Sequence, residues 1–373
     1  APPRRLRADA AVPPGRGSVA GFSAVFPDGA QAPAPRLVRT DAPGLGNGRS
    51  GRPVQRNTAL PATAAWINGS ISHAAEFDDI FRDAVYHPGC PTISAALAVA
   101  EERGSSGADL LKAITIGYEI STRIGVAVQP SHYRFFHTTG TVGCFGSAAA
   151  TAALIDGANP DVMRHALATA ATFASGLQQA FRPDAMTKAL HAGHAAWVGV
   201  TAGMGAAKGI TGALDIFEGA AGFGAALSLE PKWERATEGL GTRYNIQSIT
   251  QKNHGCCGHT FAAIDAMLDI RQQHQIDEAQ IESIRVEIYK TALDVTGNFE
   301  PRTAFEAKFS LPYVVAHALL YGAVRLNAFE AQRLQDAGIR KLMTKIQLVA
   351  DPEFSAGFPA MRAARITVAL RDG

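Results

Sequence analysis

Two short polar turns, each followed by a helix of small residues, carry the side chains best suited to chemistry. The first turn, residues 136–140, contains His137, and the second, residues 187–193, contains Lys188 and His191. A helix N-terminus favours anions, because its free N–H groups and the positive end of its dipole lie there. The two turns therefore predict two walls of a pocket for a small carboxylate.

Two earlier clusters add acids and a further histidine. Residues 73–79 read His-Ala-Ala-Glu-Phe-Asp-Asp, and His87 follows just before a Pro-Gly pair. Removing a proton from the carbon α to a carboxylate needs a base, an acid and groups that stabilise the developing enolate. We therefore predict four catalytic residues: Asp78, His87 and His137 as acids and bases, and Lys188 as the stabilising cation.

Five further side chains are candidates for contacts with the substrate. They lie in the first acidic cluster, in and just before the second turn, and in a later loop rich in lysine, histidine and cysteine. The set is Glu76, Arg182, His191, Lys252 and Cys257.

Structural roles are alternatives for several of these side chains. Asp78 and Asp79 could cap a helix, His87 could be a turn residue, and for His194 a place in the core is favoured. The spacing of histidines and aspartates in residues 73–87 matches no standard metal site, so no metal is predicted.

The cysteines support a reducing environment. Cys90, Cys144, Cys256 and Cys257 form no C-x-x-C pattern, so neither a disulfide framework, a zinc site nor an iron–sulfur cluster is predicted. We expect a cytoplasmic protein, because the N-terminus also lacks the apolar region of a signal peptide.

Composition excludes several classes of partner. With 373 residues, 47% of them hydrophobic, the chain can bury a large core, and two domains are expected. A net charge of +2 with 18% charged residues gives no electrostatic basis for nucleic acid or an anionic membrane as the main partner. No stretch of about 20 uninterrupted apolar residues predicts a membrane-spanning helix.

The elements that must position these residues change in character along the chain. Residues 1–56 are dense in Pro, Gly and Arg and predict an irregular segment. Residues 57–245 predict an all-helical domain, because apolar residues recur at helical spacing between short turns. Residues 246–373 mix helical and alternating patterns and predict a smaller α+β domain. The chain stops after a strand pattern, where a hairpin partner is expected, so we expect a truncated C-terminus.

The predicted helices are rich in Ala and Gly, which favours close packing between them. We predict helices at residues 62–75, 92–103, 108–128, 140–155, 160–175, 189–207, 257–273, 304–321 and 328–337, and strands at residues 281–290, 345–349 and 364–370.

Taken in order, these motifs resemble the MmgE/PrpD family, which includes 2-methylcitrate dehydratase, cis-aconitate decarboxylase and iminodisuccinate epimerase. The matching segments are Asn68-Gly69 with His73, Phe77-Asp78-Asp79, His87-Pro88-Gly89, Gly117-Tyr118-Glu119, His137-Thr138-Thr139-Gly140 with Gly143 and Gly146, Thr187-Lys188 with Leu190-His191-Ala192-Gly193, Glu218-Gly219 with Gly222-Phe223, Lys252 with Cys257 and Ile264-Asp265-Ala266, and Lys308-Phe309-Ser310-Leu311-Pro312-Tyr313.

The resemblance implies a mainly α fold, with a large all-helical domain, a smaller α+β lid domain and an active site between them. It also implies a homodimer that acts on small polycarboxylates without a cofactor. By position it implies that His87, His137 and Lys188 are active-site residues. Lys252 would reach in from the lid, and Cys257 stands where some relatives have a catalytic histidine.

One motif departs from the family pattern. Relatives commonly read Asp-Phe-Asp-Asp-Thr-His, whereas residues 76–81 here read Glu-Phe-Asp-Asp-Ile-Phe. The first acid is one methylene longer, and the threonine and histidine are absent, so a different substrate preference is expected to reside here. Residues 1–56 also do not resemble the start of the relatives.

The first hypothesis for function is therefore a lyase that dehydrates a 2-methylcitrate-like substrate. Decarboxylation and epimerisation share the same carbanion step and are close rivals. A non-catalytic binding or assembly protein with the same fold is the alternative from another class.

Overall fold

Apolar runs at helical spacing form helices over most of the chain. The structure is a computed structural model that describes residues 5–11, 50–52, 57–181 and 185–371. These residues are mainly helical. They divide into two units, which are described separately: a helical unit within Pro14–Gln251, and an α+β unit that combines Lys252–Gly373 with Ala1–Pro13.

The described strands form two sheets. Their bounds are β1 (Arg5–Ala11), β2 (Ser50–Arg52), β3 (Asn57–Ala59), β4 (Ile281–Ile288), β5 (Ile346–Ala350) and β6 (Ala363–Leu370). The larger sheet has the order β1-β6-β4-β5, in which β6 is antiparallel to β1 and β4, and β5 is parallel to β4. The smaller sheet pairs β2 with β3 in antiparallel fashion.

The helical unit is built from helices whose buried faces consist largely of alanine and glycine. The helices are α1 (Pro61–Ala74), α2 (Gly89–Arg103), α3 (Gly107–Val128), α4 (Thr138–Thr141), α5 (Gly143–Asp156), α6 (Pro160–Phe173), α7 (Leu190–Ala206), α8 (Phe223–Leu227) and α9 (Glu234–Thr237). Helix α7 packs against α1, α5 and α6, and α5 also packs against α2 and α3.

Two glycines of α7 let it approach its neighbours closely. A Cβ atom on Gly193 would lie 2.1 Å from Ser70 Oγ and 2.4 Å from the Trp66 carbonyl oxygen, both in α1. A Cβ atom on Gly199 would lie 2.1 Å from the Cβ atom of Ser147 in α5. Larger residues would push the helices apart, so the small-residue pattern of α7 is a packing requirement.

The α+β unit packs helices against its four-stranded sheet. Its helices are α10 (Phe261–Gln273), α11 (Lys290–Thr296), α12 (Ala304–Lys308), α13 (Leu311–Tyr321), α14 (Ala331–Leu334), α15 (Ala337–Met343) and α16 (Pro352–Gly357). Helix α10 lies against β1 and β6, and α13 lies against α10. The core joins apolar residues of both layers, among them Ile264, Met267, Val286, Val314 and Ile366.

The prediction that residues 1–56 are irregular is wrong for two pieces. Residues 5–11 form β1, which pairs with β6 along its length, and residues 50–52 form β2. The partner of β1 lies at the other end of the chain, so local composition does not reveal it. The two neighbours of β6 in the sheet, β1 and β4, both come from earlier in the chain. The rest of residues 1–56 lies outside the described residues.

The boundary between the units lies between Gln251 and Lys252 rather than after residue 245. Thr250 and Ile80 exchange backbone hydrogen bonds of 2.8 Å, and the Asn245 N–H donates to Glu119 Oε2. These bonds keep the segment that follows residue 245 with the helices.

Several predicted helices are divided by caps. Ser310 accepts a hydrogen bond from the Tyr313 N–H and begins α13, and Asp336 does the same for α15 through the Ile339 N–H. The predicted helix at residues 257–273 begins only at Phe261. Among the described residues, one helical stretch, Thr138–Asp156, is apolar and long enough to cross a membrane, but 83% of it is buried inside the protein, as in a core helix.

We predict that Gly199→Ala destabilises the protein by about 1–3 kcal/mol, the usual effect of overpacking a core. The added Cβ would lie 2.5 Å from the Ala148 backbone nitrogen, which has no room to move. Urea unfolding measures the change. Gly205→Ala on the same helix is the matched control, since its Cβ meets only the flexible end of Ile210 at 3.0 Å. Equal stability of the two variants would contradict this packing account.

Candidate active site

The carboxylate of Asp78 organises the candidate site. Its Oδ2 atom lies 2.7 Å from His73 Nδ1 and 3.2 Å from His87 Nδ1, and it accepts a 3.3 Å hydrogen bond from the Cys90 thiol. The Asp78 side chain is only 2% exposed. A buried carboxylate is costly unless donors surround it, and these neighbours supply donors. Asp78 therefore anchors the histidines around it.

The hydrogen bonds fix which nitrogen carries the proton in two rings. His73 Nδ1 faces a carboxylate, and His87 Nδ1 lies 2.9 Å from the Asp79 carbonyl oxygen, which can only accept. Both Nδ1 atoms are therefore protonated, and the lone pair of each neutral ring resides on Nε2. In His73 this Nε2 is buried and has no hydrogen-bond partner. Each ring is thus oriented as a base.

The first predicted turn lies beside this cluster. His137 precedes the short helix α4, and its ring stacks on His73 with the centroids 5.6 Å apart. The His137 N–H donates to the Gly176 carbonyl oxygen, which fixes the turn. The Thr139 hydroxyl accepts from the His87 N–H at 3.2 Å. The turn and the acidic cluster therefore form one site.

His137 and His191 form a direct pair. Their Nδ1 atoms are 2.9 Å apart, and their ring centroids are 5.1 Å apart. His191 lies at the start of α7, where the second predicted turn enters that helix. Because the Nδ1 of His191 faces another side chain, its interaction is with His137 rather than directly with a substrate at that atom.

Lys188 and Glu76 form a buried ion pair between the second turn and the first acidic cluster. Lys188 Nζ donates to Glu76 Oε1, and both side chains are 3% exposed. The ammonium also lies 5.6 Å from the centre of the Phe181 ring, and that ring packs edge-on against His137. Glu76 therefore holds the lysine in place beside the histidines.

The loop that carries the acids has an unusual backbone at both ends. Among the described residues, the non-glycine residues with positive φ are Glu76, at 55°, and Val85, at 48°. This region is unfavourable for residues with a Cβ, and most of all for a β-branched residue such as valine. Such conformations cluster at functional sites, where the surrounding contacts maintain them.

Asp79 has a different role from Asp78. Its Oδ2 accepts from the Tyr118 hydroxyl at 2.8 Å, and its Oδ1 accepts from the Gly89 N–H at the start of α2. Burial raises the pKa of Asp79 to about 6, although these two hydrogen bonds oppose the rise. The alternative role of a helix cap therefore holds for Asp79.

Burial keeps His73, His137 and His191 neutral at pH 7. Burial, together with the charge of Lys188, lowers the pKa of His73 from 6.5 to about 4. Burial lowers the pKa of His191 to about 4 and that of His137 well below its ordinary value, and the neighbouring histidines lower both further. Neutral rings of this kind can take or give a proton in catalysis.

One set of side chains here has the composition of a metal site. Ligand atoms of His73, Asp78 and Cys90 lie within 4.8 Å of one another. The same atoms are joined by hydrogen bonds that converge on Asp78 Oδ2, and burial raises the pKa of the Cys90 thiol well above its ordinary value. A protonated thiol is a poor metal ligand. The absence of a metal stays a prediction.

The helical unit brings six of the predicted site residues together: Glu76, Asp78, His87, His137, Lys188 and His191. Arg182 lies outside the described residues. Lys252 and Cys257 belong to the α+β unit, where both are buried and the Cys257 N–H donates to the Lys308 carbonyl oxygen. The prediction that His194 lies in the core is wrong: its side chain is half-buried, and its Nε2 lies 3.0 Å from the Ser175 hydroxyl, near the surface.

The site also contains residues that the sequence did not single out as functional. His73 and Cys90 contact Asp78, and Tyr118 contacts Asp79. His73 and Asp79 stood in the first cluster, Cys90 stood in the cluster that begins with His87, and Tyr118 stood in a motif shared with the family. The sequence did not indicate that Cys90 contacts Asp78, because that contact depends on the start of α2 lying against the acidic loop.

Comparison with known proteins assigns the chain to a family. The MmgE/PrpD N-terminal domain matches residues 24–236, and the MmgE/PrpD C-terminal domain matches residues 254–373. The chain therefore belongs to the MmgE/PrpD family, as its motifs predicted.

Named relatives are similar over most of the chain. The cis-aconitate decarboxylase-like protein oryM of Aspergillus oryzae is 29% identical over 340 residues, which cover 84% of this chain and 69% of the relative. The cis-aconitate decarboxylase of Homo sapiens is 28% identical over 329 residues, covering 86% and 68%. The enzyme of the same name from Aspergillus terreus is 27% identical over 337 residues, covering 84% and 68%.

We predict that stability falls as the pH decreases from 6.5 towards 4. In this window the unfolded chain binds protons that the buried neutral histidines do not, so acid favours unfolding. His73 alone contributes about 3 kcal/mol, because its pKa falls from 6.5 in the unfolded chain to about 4 in the folded protein. Asp79 has the opposite effect on stability. Its pKa is raised on folding, so its contribution to the free energy of unfolding is present below pH 3.8 and is lost as the pH rises to about 6.

Urea unfolding of the wild type and of His73→Phe at pH 7 and pH 5 measures this effect. The variant keeps a ring of similar volume but has no group to titrate, so it should lose less stability between the two pH values. An identical loss in both proteins would show that His73 is not held neutral.

Proposed function

We propose that this member of the MmgE/PrpD family is a lyase that decarboxylates a small polycarboxylate resembling cis-aconitate. The observation that carries the proposal is the buried cluster around Asp78, which packs four histidine rings beside a lysine–glutamate pair. The relatives' names support the reaction and the class of substrate.

Decarboxylation places specific demands on the site. When the C–C bond breaks and CO2 leaves, its electron pair stays on the substrate carbon, which must then receive a proton. A positioned acid of suitable pKa supplies that proton, and a cation stabilises the charge before it arrives. His137 is our candidate for the acid, because it is buried, neutral and in contact with two other histidines.

His87 is our candidate for the base in the same site. Its Nδ1 proton is directed at the Asp79 carbonyl oxygen, so its lone pair is on Nε2. The His87 side chain is 16% exposed, more than that of His73 or Asp78, so it is better placed to meet a ligand. Asp78, which we predicted as an acid or base, we now propose as the anchor of His73 and His87.

Lys188 is our candidate for the stabilising cation. Its pairing with Glu76 fixes its position, but the negative charge of Glu76 also weakens the attraction of the lysine for a substrate carboxylate. Further cations are therefore expected to bind the substrate carboxylates, and Arg182 and Lys252 remain the predicted ones. A lid function for the α+β unit and independence from cofactors stay predictions.

Dehydration of a 2-methylcitrate-like substrate, our first hypothesis from the sequence, and epimerisation use the same acid and base. The relatives favour decarboxylation, because the name of each includes the words cis-aconitate decarboxylase. Products distinguish the three: decarboxylation releases CO2, dehydration releases water and creates a double bond, and epimerisation changes only stereochemistry. A non-catalytic binding protein would give none of these products while still binding the acid.

We also propose that the chain forms a homodimer through the outer face of α7. Trp197, Thr201 and Met204 lie on one side of this helix and are exposed, and Phe173 is exposed at the end of the neighbouring helix α6. An apolar stripe of this kind on a surface helix is typical of a protein contact. The cytoplasmic location stays a prediction from the sequence.

We predict that His137→Ala lowers the turnover of cis-aconitate by about 10²–10⁴-fold, the usual contribution of a positioned acid or base. Lys188→Ala should lower it by about 10²–10³-fold, the usual contribution of one group that stabilises developing charge. Release of CO2 from a panel of citrate-like acids is the measurement, and circular dichroism checks the fold. His165→Ala is the control. His165 lies on α6, where its Nδ1 accepts a hydrogen bond from the Gly212 N–H, and it is not part of the Asp78 cluster. Retention of activity within about tenfold in both variants would be incompatible with these roles.

We predict that Trp197→Glu converts the dimer into a monomer, because it places a charge in the apolar contact. Light scattering after size-exclusion chromatography gives the mass. Leu111→Glu, which changes an exposed apolar residue on α3, should leave the dimer intact. A wild-type protein that elutes as a monomer, or a Trp197→Glu variant that stays dimeric, would exclude this face.

A further inference from the structure

The contact between His137 and His191 joins two nitrogen atoms of the same kind. Each Nδ1 is either a donor or an acceptor, and at 2.9 Å one of them must donate to the other. A single proton therefore lies between the two rings when both are neutral. We propose that His191 is a positioning residue that sets the protonated nitrogen of His137 and passes protons to it; this role rests on the proposed function.

The shared proton gives the pair two arrangements. When His191 Nδ1 donates, His137 carries its own proton on Nε2 and is an acid at that atom. When His137 Nδ1 donates, its Nε2 has a lone pair and is a base. The position of one proton thus determines the chemical role of His137.

Proton transfer through the pair keeps both rings neutral. His137 gives its Nε2 proton to the substrate carbon, whose electron pair forms the new C–H bond. At the same time His137 Nδ1 takes the proton of His191 Nδ1, and His191 Nε2 takes one from water. One proton enters from solvent and one leaves to the substrate, so the charge of the pair does not change. After the product leaves, water that enters the vacated substrate position gives a proton to His137 Nε2, His137 Nδ1 returns its proton to His191 Nδ1, and His191 Nε2 releases one to solvent.

The surroundings favour this neutral route over a charged imidazolium. The titratable groups around the pair are His73, His87 and Lys188 beside His137, and His73, Lys188 and His194 beside His191. Lys188 is itself paired with Glu76. The positive charge of Lys188 disfavours a second cation beside it, and burial lowers the pKa of both rings. A transfer that leaves no ring charged avoids that unfavourable state.

Burial distinguishes the two members of the pair. His137 is 1% exposed, whereas His191 is half-buried. His191 is therefore the member that exchanges protons with water, and His137 is the member enclosed by His73, Phe181 and His191.

Three variants of His191 separate a proton relay from packing and from a simple hydrogen bond. His191→Phe keeps the ring volume, and His191→Asn keeps a polar group near the position of Nδ1, but neither passes a proton. We expect both to lower kcat by at least about tenfold, less than the 10²–10⁴-fold of a positioned acid or base, because His137 itself is still present. KM should stay within about twofold, because the group acts through His137 and not on the substrate.

His191→Ala supplies the third readout. Imidazole added in solution should raise its kcat in proportion to imidazole concentration, since the free molecule can occupy the vacated position. His194→Ala, one turn further along α7, is the control. Its kcat should equal that of the wild type and should not increase when imidazole is added. Wild-type kcat in either His191→Phe or His191→Asn, or an absence of rescue by imidazole, would overturn the relay.

A measurement without substrate separates failure of this inference from failure of the proposed function. In ¹⁵N spectra of histidine-labelled protein, His137 and His191 should both stay neutral at pH 6, with their Nδ1 signals coupled through one proton. Loss of the His137 coupling in His191→Phe assigns the signal. Two rings that titrate independently near their ordinary pKa of 6.5 would overturn the proposal, whatever the enzyme turns over.

Discussion

The burial of the Asp78 carboxylate is the interaction on which the site depends. A carboxylate with 2% exposure persists only if donors surround it, and His73, His87 and Cys90 lie at hydrogen-bonding distance. The contact with Asp78 holds the proton of His73 on Nδ1, and the adjacent Asp79 carbonyl oxygen does the same for His87. The acidic loop therefore orients two imidazoles with the lone pair of each on Nε2.

Close helix packing brings the remaining groups to this carboxylate. His73 lies in the last turn of α1 and His191 in the first turn of α7, so the distance between these helices sets the distance between the rings. Gly193 allows the contact, since a Cβ there would overlap Ser70 and the backbone of Trp66. The alanine- and glycine-rich helices are thus a requirement of the site as well as of the core. The strained backbone at Glu76 completes the arrangement by directing its carboxylate to Lys188.

The sequence predicted the helices, the family and most of the side chains of this cluster, because those depend on local spacing and on motifs. It did not predict which of them contact one another. Asp78, predicted to move protons, is surrounded by donors, and His191, predicted to contact substrate, contacts His137 through its Nδ1. Pairings between distant segments, such as β1 with β6 or Cys90 with Asp78, leave no local signal. Periodicity reports which face of an element is buried but not what lies against it.

The central claim is that this histidine cluster delivers a proton to a substrate carbon after a carboxylate leaves it. The most direct test is to incubate the protein with cis-aconitate in D2O and to examine the product by NMR. The account predicts loss of one carboxyl group and incorporation of one deuterium atom at a carbon of the product. Binding of the acid without any change in it, or a decarboxylated product that contains no deuterium, would contradict the account.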